Sequence, residues 1–403
     1  MASDSTFLTR VSIKNYRSIR ACSVNLRPLN FLVGPNGAGK SNFLDALRFV
    51  ADALNTTLDH AIRDRGGIDE VRRRSGGHPT HFGVRLDFRL SEASFGHYAF
   101  TIGARPRGAF EVQEEECAIQ EIMGTKHHFK LSRGEVVEAG GEANPAASAD
   151  RLYLVAVSGA PQFRKIFDAL SHMGFYNLNP GEIRDLQSPD AGELLIRDGG
   201  NLASVLGELA VHEPDVKRRI EEYLERVTPG IKGVDRKSLG PKQTLEFRQE
   251  VAGSSHPWKF PAASMSDGTL RALGILAALF QSRNDSVVPI PLVGIEEPEV
   301  ALHPAAAGVL LAALREAAMR VQVIVTSHSP DLLDSEDIPT EALLAVRAQA
   351  GVTTIGPIDE AGRQALMKRL FTPGELLRLD QLAPEVSATG TIENPRLFGP
   401  RDS

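Results

Sequence analysis

Eight consecutive residues near the start of the chain have the types and spacing that bind phosphate. They fit the pattern GxxxxGK[ST] between an apolar run and a helical pattern, and are Gly34, Pro35, Asn36, Gly37, Ala38, Gly39, Lys40 and Ser41, followed by Asn42. The glycines let the backbone turn tightly, so that its N–H groups and the N-terminus of the next helix face phosphate oxygens. Lys40 would reach the outer phosphates, and Ser41 would ligate Mg²⁺. The pattern predicts a P-loop.

A second group of candidate residues follows the apolar run 292–295. The ends of parallel strands face the ligand crevice of a sheet. Glu296 is therefore predicted to hold Mg²⁺ through its water shell, and Glu297 to orient and polarise an attacking water. Taken alone, an acidic turn after a buried strand also fits a solvated loop. The P-loop pattern elsewhere in the chain favours the catalytic interpretation.

Two further signals are weaker when each is taken alone. Ser266 and Gly268 open an apolar helical pattern, where Ser266 can cap the helix and its N-terminus can bind an anion. The same residues also fit an ordinary helix cap. His328 follows the buried-strand pattern 323–326, a place where a lone histidine is most often structural.

The elements that must position these residues alternate between strand and helix. Strands are predicted at 7–13, 21–26, 30–33, 244–251, 291–295 and 321–326, and helices at 39–54, 161–172, 201–211, 213–227, 267–282 and 304–319. Alternation of this kind builds a parallel sheet. Between 81 and 132, strand patterns separated by Gly and Pro predict an inserted antiparallel sheet, and 134–150 is predicted to be a loop or linker.

The order of these patterns suggests three domains. Residues 1–175 are predicted to form an N-terminal ATPase lobe with the P-loop and the inserted sheet. Residues 176–262 are predicted to form a helical lobe, and 263–403 a C-terminal ATPase lobe.

Composition narrows the class of protein. The 403 residues are 42% hydrophobic and 24% charged, which excludes collagen-like, disordered and disulfide-rich proteins. A net charge of −6 argues against a generally basic nucleic-acid binder. Cys22 and Cys117 stand far apart, no apolar run is long enough to span a bilayer, and the first residues do not resemble a signal peptide. We therefore expect a cytoplasmic protein without membrane contact.

Together, the motifs resemble the RecF/SMC-like branch of ABC-type ATPases, and within it the standalone AAA ATPases related to overcoming-lysogenization-defect proteins, without a nuclease domain. The segment 11–19, with Asn15-Tyr16-Arg17-Ser18, resembles the first strand and turn of that branch. The segment at Ser266 resembles its signature motif, with Met265 in place of Leu and Asp267 in place of Gly. The resemblance implies an α/β P-loop NTPase of the RecF/SMC head type, whose mixed sheet carries an inserted antiparallel sheet and a helical lobe.

The resemblance also implies roles for residues. ATP and Mg²⁺ would be the cofactors, and Lys40, Glu297 and the switch histidine His328 the catalytic residues. Two chains would dock head to tail, with each ATP between the P-loop of one chain and Ser266–Gly268 of the other. Residues 300–303 would cross that interface. This arrangement predicts a homodimer in the ATP-bound state.

Some departures from the family limit what the resemblance implies. No long heptad pattern lies between Lys40 and Glu296, so a coiled-coil arm is not expected. Only Gln113 and Gln120 are candidates for the glutamine of the family's Q-loop. About 75 residues follow His328, too few for the nuclease domain of some relatives. Any nuclease or other effector would have to be a partner chain.

Charge clusters leave the question of DNA open. Residues 60–110 contain nine arginines against five carboxylates, which fits either a DNA-backbone contact for double-stranded DNA or a solvated face. The acidic run 114–116 is expected to face solvent or to protect a strand edge. The first functional hypothesis is an ATP-hydrolysing dimerisation switch in DNA repair, recombination or anti-phage defence. The alternative is an ATP-stabilised scaffold or regulator of a partner protein, with little hydrolysis and no DNA binding.

Overall fold

The computed structural model describes residues 6–75, 79–122, 124–139, 145–281, 289–335, 338–385 and 395–399. The described residues form sixteen strands, which are β1 (Leu8–Tyr16), β2 (Ile19–Asn25), β3 (Leu29–Val33), β4 (His81–Ser91), β5 (Ser94–Ala104), β6 (Phe110–Glu121), β7 (Lys126–Ser132), β8 (Glu135–Ala139), β9 (Gly174–Tyr176), β10 (Ile231–Leu239), β11 (Lys242–Gln249), β12 (Trp258–Pro261), β13 (Leu292–Glu296), β14 (Gln322–Ser327), β15 (Leu343–Gln349) and β16 (Val352–Pro357).

The same residues form thirteen α-helices, which are α1 (Lys40–Asn55), α2 (Leu58–Arg63), α3 (Ile68–Val71), α4 (Tyr153–Val157), α5 (Pro161–Ser171), α6 (Pro180–Arg184), α7 (Leu202–His212), α8 (Pro214–Val227), α9 (Asp267–Phe280), α10 (Ala307–Ala317), α11 (Pro330–Leu333), α12 (Glu360–Met367) and α13 (Pro373–Arg378). Short 3₁₀ turns lie at Pro106–Gly108, Ala262–Ser264, Pro304–Ala306 and Thr340–Ala342.

One mixed sheet of thirteen described strands organises the fold. Its order is β8-β7-β6-β5-β4-β1-β2-β16-β15-β3-β14-β13-β9. The run β15-β3-β14-β13-β9 is parallel, whereas β2, β1 and β4 to β8 pair in antiparallel fashion. The α/β class with an inserted antiparallel sheet, which the sequence predicts, is confirmed.

The helix after the P-loop packs against the inner face of the inserted sheet. Helix α1 buries its apolar face, and the Phe49 ring meets Phe82 edge-on at 5.4 Å and lies 6.2 Å from Phe100. Burying a phenylalanine side chain contributes about 1.5–3 kcal/mol. This contact fixes the P-loop helix to the inserted strands.

A second hydrophobic core contains the helical lobe. It joins α7, α8 and α9 to the separate three-stranded sheet β10-β11-β12. The rings of Tyr223 and Phe280 stack at 5.7 Å, and Arg219 pairs with Glu316 of α10. The lobe is therefore tied to the helices that flank the nucleotide-site strands. The three-domain division at 175 and 262 remains a prediction.

The structure corrects two expectations for the inserted sheet. The predicted loop 134–150 contains strand β8, which pairs with β7, while 140–144 lie outside the described residues. The acidic run does not face solvent, because β6 lies between β5 and β7 and alternate side chains enter the core. Glu115 is fully buried and accepts hydrogen bonds from the backbone N–H groups of Tyr153 (2.6 Å) and Leu154 (2.9 Å).

Among the described residues, we find no helix with the length and apolar character needed to cross a bilayer.

Candidate functional site

The P-loop connects the buried strand β3 to helix α1. Gly34 and Ala38 are buried, whereas Pro35, Asn36 and Gly37 are exposed. Gly37 and Gly39 have φ angles of 75° and 99°, in the left-handed region that favours glycine. The backbone therefore needs glycine at these two positions to turn into the helix.

The side chain of Lys40 folds back onto the P-loop. Its Nζ donates hydrogen bonds to the carbonyl oxygens of Gly34 (2.8 Å) and Pro35 (3.0 Å). Burial lowers the pKa of Lys40, and the negative charges of Glu297 and Glu299 oppose that shift. The two carboxylates therefore lie close enough to act on the lysine.

The hairpin β15–β16 forms hydrogen bonds to the P-loop. The buried hydroxyl of Thr353 in β16 donates to the carbonyl oxygen of Ala38 at 2.8 Å and lies 2.7 Å from Ser18 Oγ. Ser18 in turn accepts a hydrogen bond from Asn42 Nδ2 at 2.6 Å. A side chain at Gly39 would overlap Thr353. The turn between β1 and β2, the P-loop and the hairpin form one hydrogen-bonded unit.

The carboxyl end of β13 places two of the predicted acidic residues. Glu296 Oε1 lies 2.7 Å from Arg197 Nη2, in an ion pair that the sequence did not reveal. Glu297 has a φ of 45°, and its N–H donates to the carbonyl oxygen of Thr326 at 3.0 Å. Its Oε1 lies 3.1 Å from Nδ1 of His328, which follows β14. The structure thus brings Glu297 and His328 together.

Glu299 is a site residue to which sequence reasoning gave no role. Its Oε1 accepts hydrogen bonds from Ser327 Oγ (2.7 Å) and from the N–H groups of His328 (3.2 Å) and Ser329 (3.3 Å). Its Oε2 is buried and has no hydrogen-bond partner among the described residues. Glu299 fixes the turn that carries His328 and adds negative charge that faces Lys40.

Arg271 connects helix α9 to the acidic turn, which begins at Glu296 and Glu297 at the end of β13. Its guanidinium donates to the carbonyl oxygens of Leu178 (2.6 Å), Glu296 (3.1 Å) and Glu297 (3.1 Å). Burial lowers the pKa of Arg271, while the three carboxylates at 296, 297 and 299 raise it. Its position four residues after Asp267 was visible in the sequence, but nothing there showed what it contacts.

Ser266 and Gly268 lie at the N-terminus of α9, and Gly268 approaches Ala301 in the segment after the acidic turn. Ser266 is exposed and caps α9, where its Oγ accepts from the N–H of Thr269 at 3.2 Å. A side chain at Gly268 would overlap the carbonyl oxygen of Ala301. Among the described residues, no hydrogen bond joins Ser266 or Gly268 to the P-loop of the same chain.

The predicted glutamine candidates are wrong. Gln113 and Gln120 lie on β6, which eight strands of the described sheet separate from β13. By contrast, β9 pairs directly with β13, and Tyr176 is level with Ile295. The next residues, Asn177 and Glu296, therefore lie at the same end of the two strands, and Asn177 is exposed.

The arginine-rich stretch is mostly paired. Six of its nine arginines have carboxylate partners, in the pairs Arg63–Asp59, Arg65–Asp45, Arg72–Asp69, Arg74–Glu70, Arg85–Asp87 and Arg105–Glu111. Arg65 and Arg85 are buried. The buried Arg65 and Arg85 thus have a structural role, while a DNA-backbone contact by the exposed arginines remains a prediction.

The donor set fits Mg²⁺ and a nucleotide phosphate. The buried Oε2 of Glu299 has no hydrogen-bond partner among the described residues, and the carboxylate of Glu297 contacts His328 and interacts electrostatically with Lys40 and Arg271. Carboxylate and hydroxyl oxygens are the ligands that Mg²⁺ prefers. Ser41 is exposed at the start of α1, and a side chain at Gly37 would meet open space.

Two family models match the chain. Residues 7–122 match the model described as "AAA ATPase domain", and residues 166–334 match "AAA domain, putative AbiEii toxin, Type IV TA system". Together these models cover the P-loop, the acidic strand and the histidine.

Curated relatives are similar over different lengths. The Old nuclease of Escherichia phage P2 is 22% identical over 367 residues, which are 82% of this chain and 57% of that protein. Structural maintenance of chromosomes protein 1 of Schizosaccharomyces pombe is 25% identical over 280 residues, which are 61% of this chain and 23% of that protein. The DNA replication and repair protein RecF of Vibrio vulnificus is 49% identical over 41 residues, about a tenth of each chain. The chain thus spans less than two thirds of these relatives.

Solved structures of Smc heads share the fold. A head bound to the C-winged helix domain of ScpA has a TM-score of 0.54 at 13% identity, over 87% of this chain and 96% of that one. A Pyrococcus furiosus head with an extended coiled coil, bound to the C-terminal domain of ScpA, has a TM-score of 0.53 at 12% identity, over 90% and 99%. At these identities, the similarity establishes the fold alone.

Proposed function

Because the chain is related to the RecF/SMC-like ABC-type ATPases, and among them to the overcoming-lysogenization-defect proteins, we propose that it binds ATP with Mg²⁺ and hydrolyses the nucleotide in a dimer of two chains. Hydrolysis would switch the dimer between closed and open states. The output would be a DNA repair, recombination or anti-phage defence process, carried out with a nuclease or other effector chain.

The observation that carries the proposal is the hydrogen-bonded pair of Glu297 and His328 opposite Lys40. A carboxylate held by a histidine beside a phosphate-binding loop can accept a proton from a water and orient it. The positive φ of Glu297 and the hydrogen bonds on Glu299 hold this pair in place. Each role is one that phosphoryl transfer requires.

Each residue of the site would have a distinct role in ATP binding and hydrolysis. Lys40 would exchange its bonds to the Gly34 and Pro35 carbonyl oxygens for phosphate oxygens, and Glu297 would position the water. His328 would donate a hydrogen bond to the outer phosphate. Mg²⁺, when bound, would neutralise phosphate charge, with Ser41 and Glu296 as the residues that would hold it.

The dimer follows from what a single chain lacks. The exposed N-terminus of α9, capped by Ser266, carries partial positive charge. Among the described residues it has no hydrogen bond to the P-loop of its own chain, and the nucleotide bound to a second copy would be its anion. A head-to-tail pair would satisfy both sites by symmetry.

The experiment is steady-state ATP hydrolysis at stated salt, with wild type, Lys40→Ala and Glu297→Gln, each with and without double-stranded DNA. Lys40→Ala should lose ATP binding. Glu297→Gln should bind ATP, lose turnover by about two orders of magnitude or more, and elute as a dimer in the presence of ATP. Normal turnover by Glu297→Gln would refute the assigned role.

The alternative, an ATP-stabilised scaffold with slow hydrolysis, rests on a different observation. Glu296 is already paired with Arg197, and Lys40 with loop carbonyl oxygens, so that two site charges are satisfied without nucleotide. The mostly paired arginines also weaken a role in DNA binding. ATP-dependent assembly with little turnover, unaffected by DNA, would favour this alternative.

A further inference from the structure

The backbone of Glu297 has a conformation that its surroundings must impose. Its φ angle of 45° lies in the left-handed region, which disfavours residues that carry a side chain. Pro298 follows in the chain and restricts the backbone of Glu297 further. A backbone of this kind persists only where neighbouring groups hold it. The group that holds it therefore decides where the carboxylate of Glu297 points.

One side chain binds both peptide groups that meet at Glu297. Nη2 of Arg271 donates to the carbonyl oxygens of Glu296 and Glu297, each at 3.1 Å. The first carbonyl belongs to the peptide group before the Cα atom of Glu297, and the second to the peptide group after it. Because each peptide group is planar, φ and ψ of Glu297 set their relative orientation. A donor shared by both oxygens therefore restrains these two angles.

The guanidinium group of Arg271 is itself anchored. Arg271 is 8% exposed, and its Nη1 donates to the carbonyl oxygen of Leu178 at 2.6 Å. On the other side of the turn, the N–H of Glu297 donates to the carbonyl oxygen of the buried Thr326 at 3.0 Å. The backbone of Glu297 is thus held between helix α9 and strand β14.

Two glycines let α9 come close enough for these bonds. Gly268, Arg271 and Gly274 are spaced three residues apart, so they lie on one side of the helix. A side chain at Gly268 would overlap the carbonyl oxygen of Ala301, and a Cβ atom at Gly274 would lie 2.9 Å from Cδ1 of Leu178. Arg271 therefore reaches the acidic turn from a part of the helix that is in close contact both before and after it.

We propose that Arg271 is a positioning residue, which sets the backbone of Glu297 from helix α9 and thereby aims the carboxylate at the water that attacks the nucleotide. The inference rests on the proposed function, in which Glu297 orients that water. Arg271 acts through Glu297 and not by contact with the nucleotide. Helix α9 would then contribute to hydrolysis through its second turn as well as through its N-terminus.

The kinetic test is Arg271→Met, which keeps an apolar stem and removes the three donated bonds. Its kcat for ATP hydrolysis should fall by at least about tenfold, because a misdirected general base loses much of its effect. Its KM for ATP should stay within about twofold of wild type, because none of these bonds goes to the P-loop. The matched control is Arg219→Met, which removes ion pairs with Glu222 and Glu316 and should leave both constants unchanged.

Hydrogen exchange in the nucleotide-free protein tests the positioning without ATP. The N–H of Val300 donates to the carbonyl oxygen of Glu297 at 3.1 Å, so its exchange reports whether that peptide group is held. In Arg271→Met, a peptide that covers 296–302 should exchange at least about tenfold faster than in wild type. A peptide that covers α1 should exchange at the wild-type rate, and Arg219→Met should change neither.

Three results would overturn the inference. One is a normal kcat for Arg271→Met beside an active wild type, which would leave the proposed function standing. Another is unchanged exchange at 296–302, because the turn would then be held without the arginine. The third is faster exchange along the whole chain together with a raised KM, which would show general destabilisation.

An inactive wild type would instead refute the proposed function, and the inference with it. If Arg271→Met does not fold, Arg271→Lys is measured in its place. Lysine keeps the positive charge but lacks the forked donors of the guanidinium group, so the same changes in kcat and exchange are expected.

Discussion

Arg197 and Glu296 show how one unpredicted contact changes the meaning of a predicted residue. Sequence reasoning assigned Glu296 to Mg²⁺, and the structure places an arginine 2.7 Å from its Oε1. Arg197 lies in the connection before α7 and is 44% exposed, so it can leave the carboxylate without disturbing the core. The arginine and the metal would compete for the same oxygen.

Removing the side chain of Arg197 should therefore strengthen Mg²⁺ binding at Glu296. We expect Arg197→Ala to lower the Mg²⁺ concentration for half-maximal ATP binding by roughly 1.4- to fivefold, because a partly exposed ion pair contributes about 0.2–1 kcal/mol. A Mg²⁺ titration of ATP binding measures this shift. Arg197→Lys keeps the charge and should resemble wild type. If wild type needs less Mg²⁺ than Arg197→Ala for half-maximal ATP binding, Arg197 and the metal do not compete for Glu296.

Glu115 gives a prediction on pH. Burial raises the pKa of Glu115 to about 7, while hydrogen bonds from Tyr153, Leu154 and Tyr98 oppose the shift. The unfolded chain has the ordinary value of 4.5. The folded state therefore holds a proton that the unfolded state releases, and stability falls as pH rises from about 4.5 through about 7.

The matching variant is Glu115→Gln, which cannot ionise. Its free energy of unfolding should lie furthest below wild type at pH 5, and the deficit should shrink by an amount on the order of 3 kcal/mol at pH 8. Urea unfolding at the two pH values measures the change. An equal deficit at both would show that Glu115 does not titrate in this range.

At the scale of elements, the hairpin β15–β16 positions the P-loop through Thr353. Thr353→Val keeps the shape but removes the hydrogen bond to the Ala38 carbonyl oxygen and the one shared with Ser18 Oγ, at a cost of about 1–3 kcal/mol. We expect ATP to bind roughly tenfold more weakly, because the N–H groups beside Gly39 shift. Thr353→Ser should restore affinity.

Thermal unfolding without nucleotide separates positioning from general destabilisation. If Thr353→Val lowers Tm while ATP affinity stays at the wild-type value, the hairpin stabilises the fold without positioning the loop.

How far the sequence predicted the elements depends on how local their signals are. The P-loop, β13 and α9 were predicted within about two residues, because each has a motif next to a clear apolar period. Strand β8 was missed, because its Gly- and Glu-rich surroundings resemble a loop and its pairing with β7 is a tertiary contact. The burial of Glu115 was missed for the same reason: its partners Tyr153 and Leu154 lie 38 and 39 residues away. The ion pair of Arg197 with Glu296 spans 99 residues and has no local signal.

At the scale of the whole molecule, the proposed head-to-tail dimer predicts that Ser266 of one chain and Lys40 of the other act on the same nucleotide. Among the described residues of one chain, Ser266 caps α9 and has no hydrogen bond to the P-loop. A mixture of two differently broken chains can test whether they meet between copies.

Lys40→Ala removes the P-loop lysine, and Ser266→Asp places a carboxylate where a phosphate should bind. Aspartate caps helices as well as serine does, so the second change leaves α9 intact. Each variant alone should be inactive. In an equal mixture, half of the dimers contain one of each chain, and each of these has one intact site. About a quarter of wild-type turnover should therefore return.

The control is Ser266→Asn, which caps the helix without the added charge and should keep most activity. Recovery in the mixture requires that the P-loop of one chain and Ser266 of the other act on the same nucleotide. If the mixture stays inactive although the two variants form a mixed dimer with ATP, the two sites do not work independently or Ser266 does not face the nucleotide. If Ser266→Asp alone is fully active, the helix N-terminus has no part in hydrolysis, and the head-to-tail arrangement is wrong.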